Sequence, residues 1–149
     1  MEEHGAQLFA QPLAAWERDG LKAVLARAGL PVDDVEADGP LFWRFERDDV
    51  PVGFAGIEVH GQDALLRSLV TLPPVRLRGL GGAMVAKMET EARARGARAI
   101  YLIANDSTLF FAKLGYAACS RDSVPAAITA TRPFAAPATA AATVMTRQI

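Results

Sequence analysis

Residues 65–82 read Leu65-Leu66-Arg67-Ser68-Leu69-Val70-Thr71-Leu72-Pro73-Pro74-Val75-Arg76-Leu77-Arg78-Gly79-Leu80-Gly81-Gly82. Apart from Arg67, Ser68 and Thr71, the first eight are apolar, the pattern of a strand buried on both faces at the centre of a sheet. Pro73-Pro74 breaks that strand. After the bend Arg76-x-x-Gly79-x-Gly81, a helix is predicted up to Arg95. Leu80, Met84, Val85, Met88 and Ala92 form its inner face, while Lys87, Glu89, Glu91, Arg93 and Arg95 face water, and Gly96 stops it. Ala99–Ile103 is the next strand, so strand, crossover helix and strand make residues 65–72 and 99–103 parallel neighbours. Glycines at the bend let a ligand approach the main chain. The first helical turn leaves N–H groups unpaired and its dipole favours an anion, for which a diphosphate is the natural guest.

Upstream, residues 6–9 suggest a short strand, and Leu13–Ala28 a helix with Leu21, Val24, Leu25 and Ala28 inward and Gly29 at its end. Pro31–Glu36 reads as a turn, Leu41–Glu46 as an aromatic-rich strand, and Val52–Leu72 as a hairpin reversed at His60-Gly61-Gln62-Asp63. Downstream come a short helix at Ser107–Leu114, a strand at Tyr116–Ser120, a helix at Ser123–Thr131 and a last strand at Thr143–Gln148. Trp16, Phe42, Trp43, Phe45, Met84, Met88 and Tyr116 are assigned to the core, Cys119 to a small buried position and His60 to solvent.

The 149 residues suit one domain, 1–149. A 51% hydrophobic and 22% charged composition is that of a folded chain. The net charge of -1 argues against a nucleic-acid partner. One cysteine excludes an intrachain disulfide framework, and with only two histidines no metal centre is expected. A reducing cytoplasm is the expected setting, with no signal peptide and no membrane span.

Three phosphate-binding loops compete for the glycine bend. A P-loop needs Lys and Ser/Thr after its last glycine, and here Ala83 follows Gly82. A dinucleotide fingerprint needs a third glycine where Met84 stands. The third is the coenzyme A pyrophosphate loop. Leu69–Gly82 resembles motif A of the GNAT N-acetyltransferase superfamily, and Asn105 with Phe110-Phe111-Ala112-Lys113-Leu114-Gly115-Tyr116 resembles that family's later N…(L/F)Y-x-K-L-G-F motif. The two occur in the family's order and separation, and the order of strands and helices matches over most of the chain. The resemblance implies an α/β (α+β) fold, with a mixed central sheet of six to seven strands flanked by helices.

Further segments resemble the acetyltransferases encoded beside arsenic-resistance genes: Gly56-Ile57-Glu58-Val59, Ala64–Val70, Arg121, Val124-Pro125-Ala126-Ala127-Ile128 and Phe134. That group tends to carry a Cys-Pro where this chain has Ala136-Pro137. The resemblance implies an acetyl-CoA-dependent enzyme that acetylates the primary amine of a small molecule, with glutamate-like toxins such as phosphinothricin or arsinothricin as the substrate class. A protein N-terminus or another amine is the alternative acceptor, and an acyl-CoA sensor without turnover or a structural partner the alternative function. A homodimer is compatible with the fold.

The same resemblance assigns the site. Main chain at Leu69, Val70 and Thr71 pairs with pantetheine, and one N–H there polarises the acetyl carbonyl. The N–H groups from Leu77 through Gly79, Leu80 and Gly81 to Gly82 hold the diphosphate, with Arg76 and Arg78 adding charge. Asn105 bonds the pantetheine arm. A carboxylate must deprotonate the amine, and Glu58 is the candidate base. If the 60–63 turn sets the register, Glu58 faces Leu65 and Arg67 lies diagonally on the same face, placed to hold an acidic group of the acceptor. Arg121 is a second candidate anchor. Phe111 stands where the family often has a tyrosine acid. Plainer readings stand beside these: a cross-strand ion pair for Glu58 and Arg67, a solvated arginine at 121, and a helix cap at Asn105.

Overall fold

The computed structural model describes residues 8–30, 32, 35, 39–72, 79–136 and 139–149. The predicted turn at Pro31–Glu36 and the candidates Arg76, Leu77 and Arg78 fall largely or wholly outside them. In chain order the elements are β1 (Leu8–Pro12), a 3-10 turn (Ala15–Glu17), α1 (Arg18–Arg27), β2 (Leu41–Arg47), β3 (Val50–His60) and β4 (Asp63–Thr71). Then follow α2 (Leu80–Ala94), β5 (Ala99–Ala104), α3 (Thr108–Lys113), β6 (Ala117–Cys119), a second 3-10 turn (Arg121–Ser123), α4 (Ala126–Thr129), α5 (Arg132–Ala135) and β7 (Thr143–Gln148).

Seven strands form one mixed sheet in the order β1-β2-β3-β4-β5-β7-β6, with β4 at its centre as its apolar sequence requires. Asp48 and Asp49 both take left-handed φ in the β2–β3 turn, the conformation that matches strand twist in a two-residue hairpin. Among the described strands only β4 and β5 run parallel, joined through α2.

One face of the sheet carries the larger core. Met84, Val85 and Met88 of α2 lie fully inside it against Trp43, Phe45 and Ile57. The other face is covered twice. Leu21 and Leu25 of α1 pack on Phe42 and Phe54, while Ile128 and Phe134 of α4 and α5 pack on Leu65 and Val144. Between these two covers β4 and β5 lie open.

The structure corrects several expectations. Trp16 is 82% exposed, because it sits on the 3-10 turn that precedes α1 and not on the helix's inner face. Leu13–Ala28 is not one helix: the Ala14 N–H donates to Glu17 Oε1 and the α-helix begins only at Arg18. The predicted helix Ser123–Thr131 is broken by Pro125, which lacks an N–H and holds Val124 extended, and Pro133 starts another short helix. Glu89 is buried, since Tyr116, just before β6, and Arg147 of β7 satisfy its carboxylate. Cys119 is only partly buried, on the edge strand.

Candidate active site

β4 and β5 pair only at Asp63–Ala99, Ala64–Ile100 and Leu65–Tyr101. Beyond Leu65, β5 continues paired with β7 on its other side, but β4 no longer follows it. A second irregularity lies on the other side of β4. Gly56 pairs with Arg67 and Phe54 with Val70, so Ser68 and Leu69 together oppose Ala55. That is a β-bulge with one extra residue in β4. Ser68 takes φ 60, a left-handed conformation that costs a non-glycine residue on the order of 1–3 kcal/mol. The bulge follows the last β4–β5 pair by three residues, so the bulged strand bends within the stretch that has left β5.

Two cavities occupy the opening. The first, about 310 Å³, runs under the end of α1 and the start of α5, between Leu30 and Pro133, with Leu65 and Arg67 below. The second, about 390 Å³, runs from Leu69 and Leu102 toward Ser107, Phe110 and Phe111 on α3. They share Leu30, Leu66, Arg67, Ser68, Ile103 and Asn105, so they are two arms of one cleft. The polar groups at the junction are Arg67, Ser68 and Asn105.

Arg67 is the charged residue of the first arm among the described residues. Its side chain is 3% exposed. Its guanidinium carbon lies 5.5 Å from the centroid of Phe42, and Nη1 is 3.5 Å from Glu58 Oε1. Nε donates to Ser68 Oγ at 3.3 Å. Phe42 can lie across β3 because residue 56 is glycine: a Cβ there would stand 2.6 Å from the ring. Glu58 faces Leu65, as the hairpin turn predicts. Its carboxylate takes two partners, Arg67 through Oε1 and His60 Nε2 through Oε2 at 3.0 Å. His60 is therefore engaged rather than simply solvated. Glu58 stands behind Arg67, outside the described lining of both arms.

At the other end, Gly79 opens α2 with φ 76, a conformation that favours glycine. Among the described residues no side chain caps the helix and none in its first turn is acidic, so there the leading N–H groups of Leu80, Gly81 and Gly82 meet no side-chain competitor for an anion. Gly81 has a further reason to lack a side chain: a Cβ would come within 2.9 Å of the Phe110 ring. Asn105 follows β5 directly and borders both arms, and the cap position of α3 belongs to Ser107 instead.

Arg121 does not join Arg67. Its Nη2 donates to the Thr139 carbonyl at 2.5 Å and its guanidinium covers the Phe134 ring at 5.5 Å. It thereby braces the wall in which Pro133, Ala136 and Thr139 line the first arm. Phe111 is buried edge-on to Phe110 and Tyr116. The Tyr116 hydroxyl donates to Glu89 at 2.8 Å; burial, with the Glu89 carboxylate, pushes it far above the usual tyrosine range. Sequence reading missed Ser68 and the α5 wall. A serine beside Arg67 in a mostly apolar stretch is the local signal for the first, and nothing local announces the second.

Among the described residues, no helix is long and apolar enough to cross a membrane, and no group of three acidic, His or Cys side chains is placed to hold a metal ion. The fold is similar to N-acetylglutamate synthase from Neisseria gonorrhoeae, solved with coenzyme A and L-arginine: TM-score 0.76 and 16% identity over 97% of this chain and 34% of that one. It is also similar to Rv2747 from Mycobacterium tuberculosis, solved with CoA: TM-score 0.75 and 17% identity, over 95% of this chain and 99% of that one. A 52-residue stretch is 40% identical to mouse N-alpha-acetyltransferase 80, covering 35% of this chain and 17% of that protein. The chain thus spans about a third or less of the synthase and of the mouse relative. Residues 6–116 match the family profile described as Acetyltransferase (GNAT) family, and the chain belongs to that family.

Proposed function

We propose that this protein transfers the acetyl group of acetyl-CoA to the primary amine of a small acceptor that carries an acidic group. The observation that carries the reading is the two-armed cleft with Arg67 at its junction. The residues present suit coenzyme A: a strand edge that β5 leaves beyond Leu65, and a helix start with no side-chain cap among the described residues. When bound, acetyl-CoA supplies a thioester carbonyl that a free amine can attack. Main chain at Leu69, Val70 and Thr71 holds the pantetheine as an added strand, and an N–H there stabilises the oxyanion. N–H groups of Leu80, Gly81 and Gly82 hold the diphosphate with Leu77, Arg76 and Arg78, and Asn105 bonds the arm. Arg67 binds the acceptor's carboxylate or phosphinate, and Glu58 accepts the ammonium proton through water. Arg121 serves the acceptor by holding the wall.

A 310 Å³ arm is at the small end of ligand sites, which favours an amino acid of glutamate size, including phosphinothricin- and arsinothricin-like toxins. A protein N-terminus is the second reading, favoured by the stretch shared with mouse N-alpha-acetyltransferase 80. We place the enzyme in the cytoplasm, as one domain and as a homodimer; light scattering at the monomer mass would remove the dimer. The deciding experiment is thiol release from acetyl-CoA against acidic amino acids, their phosphinate and arsenic analogues, neutral amino acids and N-terminal peptides. Preference for the acidic amino acids supports the reading. Preference for peptides gives the second one, and coenzyme A binding without release for any amine makes the protein a sensor.

A further inference from the structure

We infer that the Ser68 hydroxyl is a catalytic hydrogen-bond donor to the leaving sulfur. Direct transfer requires donor and acceptor to meet where the two arms join, and Ser68 borders both arms. Its left-handed φ is maintained inside a strand, at a position where a glycine would fit without strain. The bulge turns this residue toward the cleft, and Arg67 Nε donates to its oxygen. That bond occupies a lone pair and leaves the hydroxyl proton free to donate. A cation on the oxygen also polarises the O–H and strengthens its outgoing bond.

Among the other hydroxyl and ring groups nearby, Ser107 borders the second arm alone and not the junction. Phe111 has no proton to offer, the Tyr116 hydroxyl is committed to Glu89, and Thr139 Oγ1 donates to the carbonyls of Pro133 and Ala136. In the reaction the acceptor nitrogen bonds the carbonyl carbon and its proton leaves to the base. The carbon–sulfur bond breaks with its electron pair on sulfur. Ser68 keeps its own proton, since an aliphatic hydroxyl is too weak an acid to surrender it to a thiolate, and stabilises the charge by donation alone.

This inference rests on coenzyme A use and not on the identity of the acceptor, so its deciding measurement, titration of the bound thiol, needs no acceptor. Coenzyme A is bound to the parent, Ser68→Ala and Ser68→Gly, and the bound thiol is titrated by the ultraviolet absorbance of its thiolate. Arg67 and Asn105 at the junction, Asp106 and Ser107 beside it and Glu58 behind it are the same in all three proteins. The expected result is a bound thiol that titrates below about 8.5 in the parent. In both variants it should titrate roughly one pH unit higher at similar coenzyme A affinity. Turnover with the best amine should fall roughly tenfold to a hundredfold. Alanine keeps the strain and glycine relieves it, so equal losses trace to the hydroxyl. Parent-like titration in either variant, or a loss with alanine that glycine restores, would overturn the inference.

Discussion

Arg67 is buried, charged and aimed at a cavity, a combination that costs stability unless each donor is met. Glu58, Ser68 and the Phe42 face meet it on three sides. Arg67→Ala is expected to raise KM for an acidic acceptor roughly tenfold to a hundredfold, the worth of a lost charge-assisted pair. Arg67→Lys should fall between, because an ammonium cannot offer two parallel bonds. Steady-state kinetics on both variants check this, and an unchanged KM would leave the ion-pair reading alone. Glu58→Gln should slow kcat while leaving acetyl-CoA affinity intact; parent-like kcat would remove Glu58 from proton transfer. The Glu58–Arg67 pairing was legible because a two-residue turn at Gly61 fixes which residues of a hairpin share a face. Ser68 was not, since one inserted residue alters the register without altering the apolar pattern.

At the scale of elements, α2 packs so closely on the sheet that side-chain volume is decisive. A Cβ at Gly53 would stand 2.7 Å from the Val70 carbonyl oxygen and 2.8 Å from Met84 Cε. Gly53→Ala must push β4 or α2 away, and is expected to destabilise by about 1–3 kcal/mol. Gly20 provides the contrast: it lies in the first turn of α1 with nothing within 4 Å of a Cβ. Gly20→Ala should stabilise by about 0.5–1 kcal/mol through helix propensity. Urea denaturation measures both signs, and like signs would contradict the packing argument. Elements with strong periodicity, α2 and the hairpin above all, were legible along the chain. The segment 121–135 was misread because its two prolines and a long-range bond from Arg121 to Thr139 outweigh local propensity.

Across the whole molecule, charge networks link the layers. Tyr116 and Arg147 converge on the buried Glu89 of α2, tying that helix to the start of β6 and to β7. Folded and unfolded chains both keep the tyrosine proton below about pH 10. Above it the unfolded chain releases the proton first, so this contribution to stability falls as pH rises. Tyr116→Phe should flatten that alkaline decline and cost about 1–3 kcal/mol at neutral pH, because Glu89 loses a donor. At the acid end, Arg95 and Lys87 hold Glu91 below its usual carboxylate range. That stability is present above the unfolded value and is lost as pH falls through the folded one. Melting temperature against pH for parent and variant checks both slopes; an unaltered alkaline slope in the variant would exclude Tyr116 as its source. The sequence by itself determined the order of strands and helices, the glycine bend that opens α2 and the cation on the central strand, because turns, periodicity and burial act over a few neighbouring residues. Only the tertiary structure decided that β4 and β5 part after Leu65, that Ser68 stands where two arms join, and that Arg121 holds a wall. Each of those depends on contacts between segments far apart in the chain, whose distances no local pattern specifies.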